Sequence, residues 1–456
     1  LYHSPPGVLL SCAGMILRDP VHGLISFEGD AERVVAALLG TREVQRLRRV
    51  RQLGLASLVF PGAEHSRFSH AIGTAWVMRR LTERLRAVED ALPREERPTD
   101  GDLRDALAAA LLHDLGHGPY SHLFEDVLPD GGSHEDWGAS ILRDPETDVH
   151  RALERLEAGM AERVAGFLEG RHRCGYLARA VSGALDVDRC DYLLRDSHMT
   201  GVDFGVQDLD WLLRSLRFAA LESEAGGTTH RVLAIEGRKG LPPVEAFFLG
   251  RHFMYQQVYH HKATRAAELL VRGIFRRVAE LLRSGQAPPG VPAALRAAAH
   301  GRPVTVGDYL ALDDETVGAA FGAWERSSDP LLAELAGDLR RRALPKTMPL
   351  PLGPEAAAQR AQALEAAQEV ARRHGLRADL RVHLDEAVHV PYAEPEPTDR
   401  SPTGLWVRLR HQPLQRLGAV SFLLRELRNK RSETARLIFP AAIRDQVHRA
   451  VEGVLA

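Results

Sequence analysis

The stretch of this 456-residue sequence best equipped for chemistry is LLHDLGHGPYSH, residues 111–122. An apolar run, Leu103 to Leu112, delivers His113 and Asp114 as neighbours. His117 follows four residues after His113, Gly118-Pro119 breaks the chain, and His122 comes next. An imidazole nitrogen and a carboxylate oxygen presented from the end of a rigid apolar segment can hold a borderline metal ion. A hydrogen-bonded helix end is the ordinary alternative for one His-Asp pair in a chain with 21 histidines. Four titratable groups at a glycine-interrupted helix end would fill a core badly, which favours a site.

Three further places carry chemistry. In DVDRCDYLLRD (186–196), Asp188, Tyr192 and Asp196 fall at i, i+4 and i+8 and share one helical face. A solvated acidic face is the rival reading, although a tyrosine between two aspartates suits a cleft wall. His70, after Arg67-Phe68-Ser69, has no metal motif of its own. In RHFMYQQVYHHK (251–262), Arg251, Tyr255, Tyr259 and Lys262 lie near one face at helical spacing. Cations beside aromatic rings suit a phosphate-and-ring ligand such as a nucleotide. Amphipathic packing with snorkelling cations is the alternative.

The elements that must position these groups read mostly as helices. The hydrophobic period predicts helices over Ala31–Leu39, Glu43–Leu53, His70–Leu85 and Asp102–Leu115, the last with Asp102 as its cap. Ser133 is expected to cap the next helix, and Asp186–Asp196 to continue the helix from Tyr176–Leu185. Pro243–Glu268 reads as one long helix, after a hairpin over Phe218–Ile235. Met15 opens a strand that Asp19-Pro20 turns. Past residue 285 the composition shifts, and short strands (Leu380–Leu384, Leu405–Leu409, Leu437–Phe439) mix with helices (Glu355–Arg373, Ser432–Ala435, Ala441–Val454). The expected fold is therefore mainly α, with a small β-hairpin and a mixed α/β C-terminal lobe. The expected division is a flexible leader over 1–14, a core over 15–285, and a lobe over 286–456 for oligomerisation or regulation.

Composition excludes little but bounds the class. With 59 basic and 61 acidic side chains, no global charge argues for nucleic acid, which stays an open partner. Three scattered cysteines argue against a disulfide framework and for a reducing, cytoplasmic setting. No apolar run reaches the roughly 18 residues of a membrane span.

Six ordered stretches carry a family resemblance: DPVHG (19–23), VQRLRRVRQLG (44–54), VFPGAEHSRFSH (59–70), HDLGHGPYSH (113–122), DVDRCDYLLRD (186–196) and YHHK (259–262). Together they resemble the HD-domain superfamily. Within it they are most similar to the deoxynucleoside triphosphate (dNTP) triphosphohydrolases, including the catalytic core of vertebrate members that carry a sterile-alpha-motif domain. The resemblance implies a helical HD core. It also implies a metal quartet of His70, His113, Asp114 and Asp188, open to Mn, Fe, Zn, Ni or Mg, with an additional Mg accompanying the triphosphate. The implied reaction is hydroxide attack at the α-phosphorus, releasing a deoxynucleoside and inorganic triphosphate. His122 with Glu125 matches the family's catalytic pair, expected to protonate the leaving 5′-oxygen, though the vertebrate enzyme has Asp in place of Glu125. His117 and His134 would line the α-phosphate. Arg67, Arg189, Arg251 and Lys262 would clamp phosphates, and Gln52 and Asp196 would hold the 3′-hydroxyl. Leu53 and Tyr259 would exclude a 2′-hydroxyl, and Tyr192 would lie along the sugar or base. Expected partners are a dNTP, a nucleotide effector and further copies of the chain in a dimer or tetramer. Met15 and Gly40 stand where a lysine and an aspartate of the vertebrate nucleotide-sensing site would align, so the same mode of activation is not expected. Other HD chemistry (a nucleotidase, phosphodiesterase or nuclease), or nucleotide sensing with little turnover, remains the alternative.

Overall fold

A computed structural model describes residues 15–121, 132–222, 229–396, 399 and 401–455. The expected leader over 1–14 lies outside them. The fold is mainly α, as the periodicity implies, with three small sheets among the described residues. The helices that position the site are α1 (Arg67–Arg86), α2 (Asp100–Leu112), α3 (His134–Arg143), α4 (Val187–Thr200), α5 (Leu241–Met254) and α6 (Lys262–Arg283). Helices α1 and α2 are buried along most of their length, and α4 packs against α1. An amphipathic stripe would not suffice for such helices, and the sequence accordingly fills α2 with Leu and Ala at nearly every position from Leu103 to Leu112.

Several boundaries differ from expectation for local reasons. Thr99, not Asp102, caps α2: its hydroxyl accepts from the Asp102 N–H while the Asp102 carboxylate reaches back to the Thr99 N–H. That reciprocal box moves the start two residues earlier. Ser133 caps α3 in the same way with Asp136. The helix from Gly175 ends at Val181, and Asp186 caps α4 separately by accepting from the Arg189 N–H. The expected single helix over 243–268 is instead α5, a π-helical turn (Tyr255–Tyr259), a break at His260, and α6.

The strands are β1 (Met15–Asp19), β2 (Gly23–Phe27), β3 (Leu216–Glu222), β4 (Thr229–Glu236), β5 (Lys346–Pro349), β6 (His383–His389), β7 (Trp406–Arg408), β8 (Gln415–Arg416) and β9 (Ser432–Phe439). The expected hairpin is present as β3–β4 but begins two residues earlier, with Leu216 paired to Ile235, and it extends through β7 and β8 into a four-stranded sheet. Ser432–Ala435, expected as helix, belongs to β9, whose continuation Arg436–Phe439 holds the middle of the sheet β5-β9-β6. Pairing of Ser432–Ala435 with Glu386–His389 of β6 overrides its local preference. The main hydrophobic core continues past residue 285 through Tyr309, Trp324 and Leu335 to Leu424. A second, smaller core lies between the β5-β9-β6 sheet and the helices Ala357–Arg373 and Arg444–Leu455. No helix among the described residues is long and apolar enough to cross a membrane. Cys174 and Cys190 are buried and free.

Candidate metal and nucleotide site

His70 sits one turn into α1 and is fully buried. Its Nδ1 lies 2.8 Å from Asp191 Oδ2, an acceptor, so Nδ1 carries the proton. His113 closes α2, with Nδ1 2.9 Å from the Ala110 carbonyl, which fixes the same tautomer. The two Nε2 lone pairs therefore face each other, 3.2 Å apart. Asp188 Oδ1 is 3.0 Å from His70 Nε2 and 3.4 Å from His113 Nε2. Asp114 closes the group, 3.6 Å from His70 Nε2 and 3.4 Å from His113 Nε2. The ligand atoms of His70, His113 and Asp114 all lie within 4.8 Å of one another, and Asp188, from a third part of the chain, reaches both histidine nitrogens.

This donor set fits a divalent cation. Two imidazoles and two carboxylates this close draw positive charge, and a proton or a metal relieves the repulsion among their lone pairs. The electrostatics agree. Burial works against a charge on His70, but hydrogen bonds to Asp188 and Asp191 outweigh it and push the imidazole up to about 10. The same histidines, against burial, pull Asp188 down. Asp114 is held well below the usual carboxylate range, chiefly by Arg67 against the cost of burial.

Beneath the cluster lies a layer that sequence reasoning missed. Asp191, fully buried, receives Arg195 Nε at 2.8 Å and Nη2 at 2.9 Å, and its Oδ1 takes His22 Nε2 at 2.6 Å. Arg195 Nη1 goes on to Asp19 Oδ2 at 2.8 Å. The β1–β2 turn therefore braces His70 through α4. The signal was present: Asp19 and His22 lie inside DPVHG, and Asp191 and Arg195 stand at i, i+4 inside DVDRCDYLLRD. Gly73 completes this layer, because a Cβ there would overlap the Asp191 carboxylate and the Arg195 guanidinium. Gly73→Ala is expected to cost about 1–3 kcal/mol of stability and to weaken metal retention, checked by thermal unfolding beside metal analysis.

The loop after His113 is held by close packing and by one distant acid. A Cβ on Gly116 would run into the His134 carbonyl and the Gly138 nitrogen, so α3 can rest directly on the loop. His117 stacks on His134, ring centroids 3.9 Å apart. Burial and the neighbouring Arg67 hold His117 well below its usual range, hence neutral at pH 7. Tyr120 and Ser121 both adopt left-handed backbone (φ 56° and 59°), which costs of order 1–3 kcal/mol per residue. Asp314 pins that turn by accepting the Tyr120 N–H at 2.8 Å and the Arg51 N–H at 2.9 Å. No motif marks Asp314 in the sequence.

A cavity of about 470 Å³ opens over the cluster. Its walls include Gln52, Leu53, Arg67, Asp114, His117, His134, Asp188, Arg189, Tyr192, Asp196, Arg251 and Tyr259. Asp188, Tyr192 and Asp196 do share one face, and that face lines the cavity. Arg67 donates to Asp114 and, through Nη2, to Ser121 Oγ at 2.7 Å. Arg189 is drawn to Asp186 Oδ2 at 2.5 Å and to the Gly183 carbonyl. Arg251 Nη1 donates to the Pro391 carbonyl at 3.2 Å. Asp196 accepts from Tyr259 Oη at 2.8 Å and lies 2.8 Å from His65 Nε2. Gln52 Oε1 is buried with no partner among the described residues. Lys262 is not brought to this cavity; it lines a separate one with Arg342, Lys346 and Arg444. His122 and Glu125 lie outside the described residues.

A family profile described as HD domain matches residues 67–196, the span from Arg67 to Asp196. The chain is 34% identical over 320 residues to the uncharacterized protein YwfO of Bacillus subtilis, covering 70% of this chain and 68% of that one. It is 28% identical over 279 residues to the Dictyostelium discoideum homolog of deoxynucleoside triphosphate triphosphohydrolase SAMHD1, covering 59% of this chain and only half of the relative's length. A crystal structure of a phosphohydrolase from Bacteroides thetaiotaomicron superposes with a TM-score of 0.74 at 25% identity, covering 94% of this chain and all of that one. With the fold, the matched span and these relatives in agreement, the chain belongs to the HD-domain, dNTPase-like family.

Proposed function

We propose that this HD-domain hydrolase is a metal-dependent dNTP triphosphohydrolase, cleaving at the α-phosphorus to give a deoxynucleoside and inorganic triphosphate. One observation carries the reading. Two imidazoles locked in the same tautomer and two carboxylates converge at the base of a nucleotide-sized cavity walled by guanidinium groups and tyrosines. His70, His113, Asp114 and Asp188 would hold Mn, Fe, Zn, Ni or Mg. Such an ion, when bound, neutralises phosphate charge and acidifies water.

The chain's own groups do the rest. Arg67, fixed between Asp114 and Ser121, places positive charge beside the cluster, where the attacked phosphate would lie. Arg189 and Arg251 offer their remaining N–H groups to the outer phosphates. Neutral His117, stacked on His134 with Nε2 3.3 Å from Asp114 Oδ1, holds that carboxylate in place beside the attacked phosphate. Leu53 and Tyr259 close on the sugar, and Gln52 Oε1, without a partner among the described residues, is a ready acceptor for its 3′-hydroxyl. By resemblance, His122 with Glu125 would protonate the leaving 5′-oxygen. The same reading takes 15–285 as the catalytic core and 286–456 as a lobe for oligomerisation or regulation, with a nucleotide effector as a further partner and a cytoplasmic setting.

Incubating the protein with each of the four dNTPs and Mn or Mg, then resolving products by ion exchange, tests the proposal. Inorganic triphosphate with deoxynucleoside is the expected outcome. Orthophosphate or a cleaved phosphodiester would assign the site to another HD chemistry. Binding without turnover across several metals would make it a sensor.

A further inference from the structure

Strand β6 lies outside the HD span, yet it touches the nucleotide cavity's wall at successive points. Asp385, 2% exposed near the start of β6, accepts from Arg265 Nη2 at 2.7 Å and from Arg436 Nε at 2.8 Å. Arg436, on β9, passes its Nη2 to the His260 carbonyl at 2.8 Å, directly after the π-helical turn that carries Tyr259. His389, the last residue of β6, stacks flat on Tyr255 of that turn, centroids 3.7 Å apart and 10° from parallel. The chain then continues into Val390 and Pro391, whose carbonyls take Arg251 Nη1. Tyr255, Tyr259, His260, Arg251 and Arg265 all line the cavity.

A π-helical turn is a weak element. It occurs rarely and mostly at functional sites, and here the chain breaks directly after it, at His260, before α6 begins. The turn needs an outside template, and β6 supplies one at both ends. Asp385 is the pivot because one carboxylate spans two guanidinium groups, one lining the cavity and one clasping the backbone beyond Tyr259. We infer that Asp385, through Arg436 and the His260 carbonyl, is a positioning residue that sets the substrate-facing geometry of Tyr259 and Arg251 from the C-terminal sheet. This rests on the triphosphohydrolase reading for its kinetic readout but not for its binding readout.

The test compares wild type, Asp385→Asn and Arg436→Lys. Lysine keeps the charge beside Asp385, but its single ammonium cannot span from the carboxylate to the His260 carbonyl, so it serves if Asp385→Asn fails to fold. Misplaced binding groups should raise KM for dATP about tenfold in either variant, with kcat within about twofold and metal content unchanged. Calorimetric titration with dATP should show the same tenfold weakening. KM and dATP affinity unchanged in a folded variant would overturn the inference, as would a loss confined to kcat or to metal content. If wild type releases no triphosphate but binds dATP, the reaction assignment fails while the titration still decides the role of Asp385.

Discussion

Asp188→Ala is expected to leave a folded protein whose triphosphate release falls by about a thousandfold or more. The Asp188 side chain is 29% exposed to the cavity, and its carboxylate bridges His70 and His113 at 3.0 and 3.4 Å. It lies in the first turn of α4, whose cap is Asp186, so its loss removes neither cap nor core. The change takes away one of two carboxylates able to balance a divalent cation. A metal contributes several kcal/mol of transition-state stabilisation, and each 1.4 kcal/mol is about a factor of ten. Circular dichroism with product analysis would check both halves. A variant that unfolds, or one that keeps full activity, contradicts this account of the residue.

Asp191→Ala should show the opposite balance, with a large stability loss. Asp191 has no exposure and compensates Arg195, itself fully buried, besides orienting His70 and His22. Removing it takes away two of the three carboxylate contacts of Arg195 and leaves Asp19 alone to balance the buried guanidinium, at a cost of about 3–5 kcal/mol. A domain's whole stability is only about 5–15 kcal/mol. Chemical denaturation should therefore show a large drop in midpoint. The residual folded protein should bind metal about 10–100-fold more weakly, because the His70 ring is no longer held. Asp191→Asn, which keeps the shape but not the charge, should lie between the two. A variant as stable as wild type would mean that Asp19 alone compensates Arg195.

These two aspartates show how far sequence alone reaches. Asp188 was legible as a cleft-wall residue because it shares an i, i+4, i+8 stripe with Tyr192 and Asp196, and as a ligand only through the family resemblance. Asp191 was hidden on the inner side of the same helix, where charge looks like an ordinary surface residue until its partners from β1, the β1–β2 turn and α1 are in place. Lys262 was misplaced for a definite reason. Its expected alignment with Arg251, Tyr255 and Tyr259 assumed about 3.6 residues per turn. The π-helical turn and the break at His260 rotate the chain beyond them, and Lys262 begins a new helix facing another cavity. Asp314 and Asp385 were illegible altogether, since each acts through contacts with residues far away in sequence and sits in no motif. The helical class was legible in the period of the apolar residues. The β5-β9-β6 sheet was only partly so, because β9 gains its structure from strands on both sides.

The central claim is that His70, His113, Asp114 and Asp188 surround one ion beneath the cavity. Anomalous diffraction from crystals of the metal-loaded protein tests it most directly. One peak is expected there, about 2.0–2.2 Å from Nε2 of both histidines and from one oxygen of each aspartate. A peak bound elsewhere, or none in protein that still releases triphosphate, would contradict it.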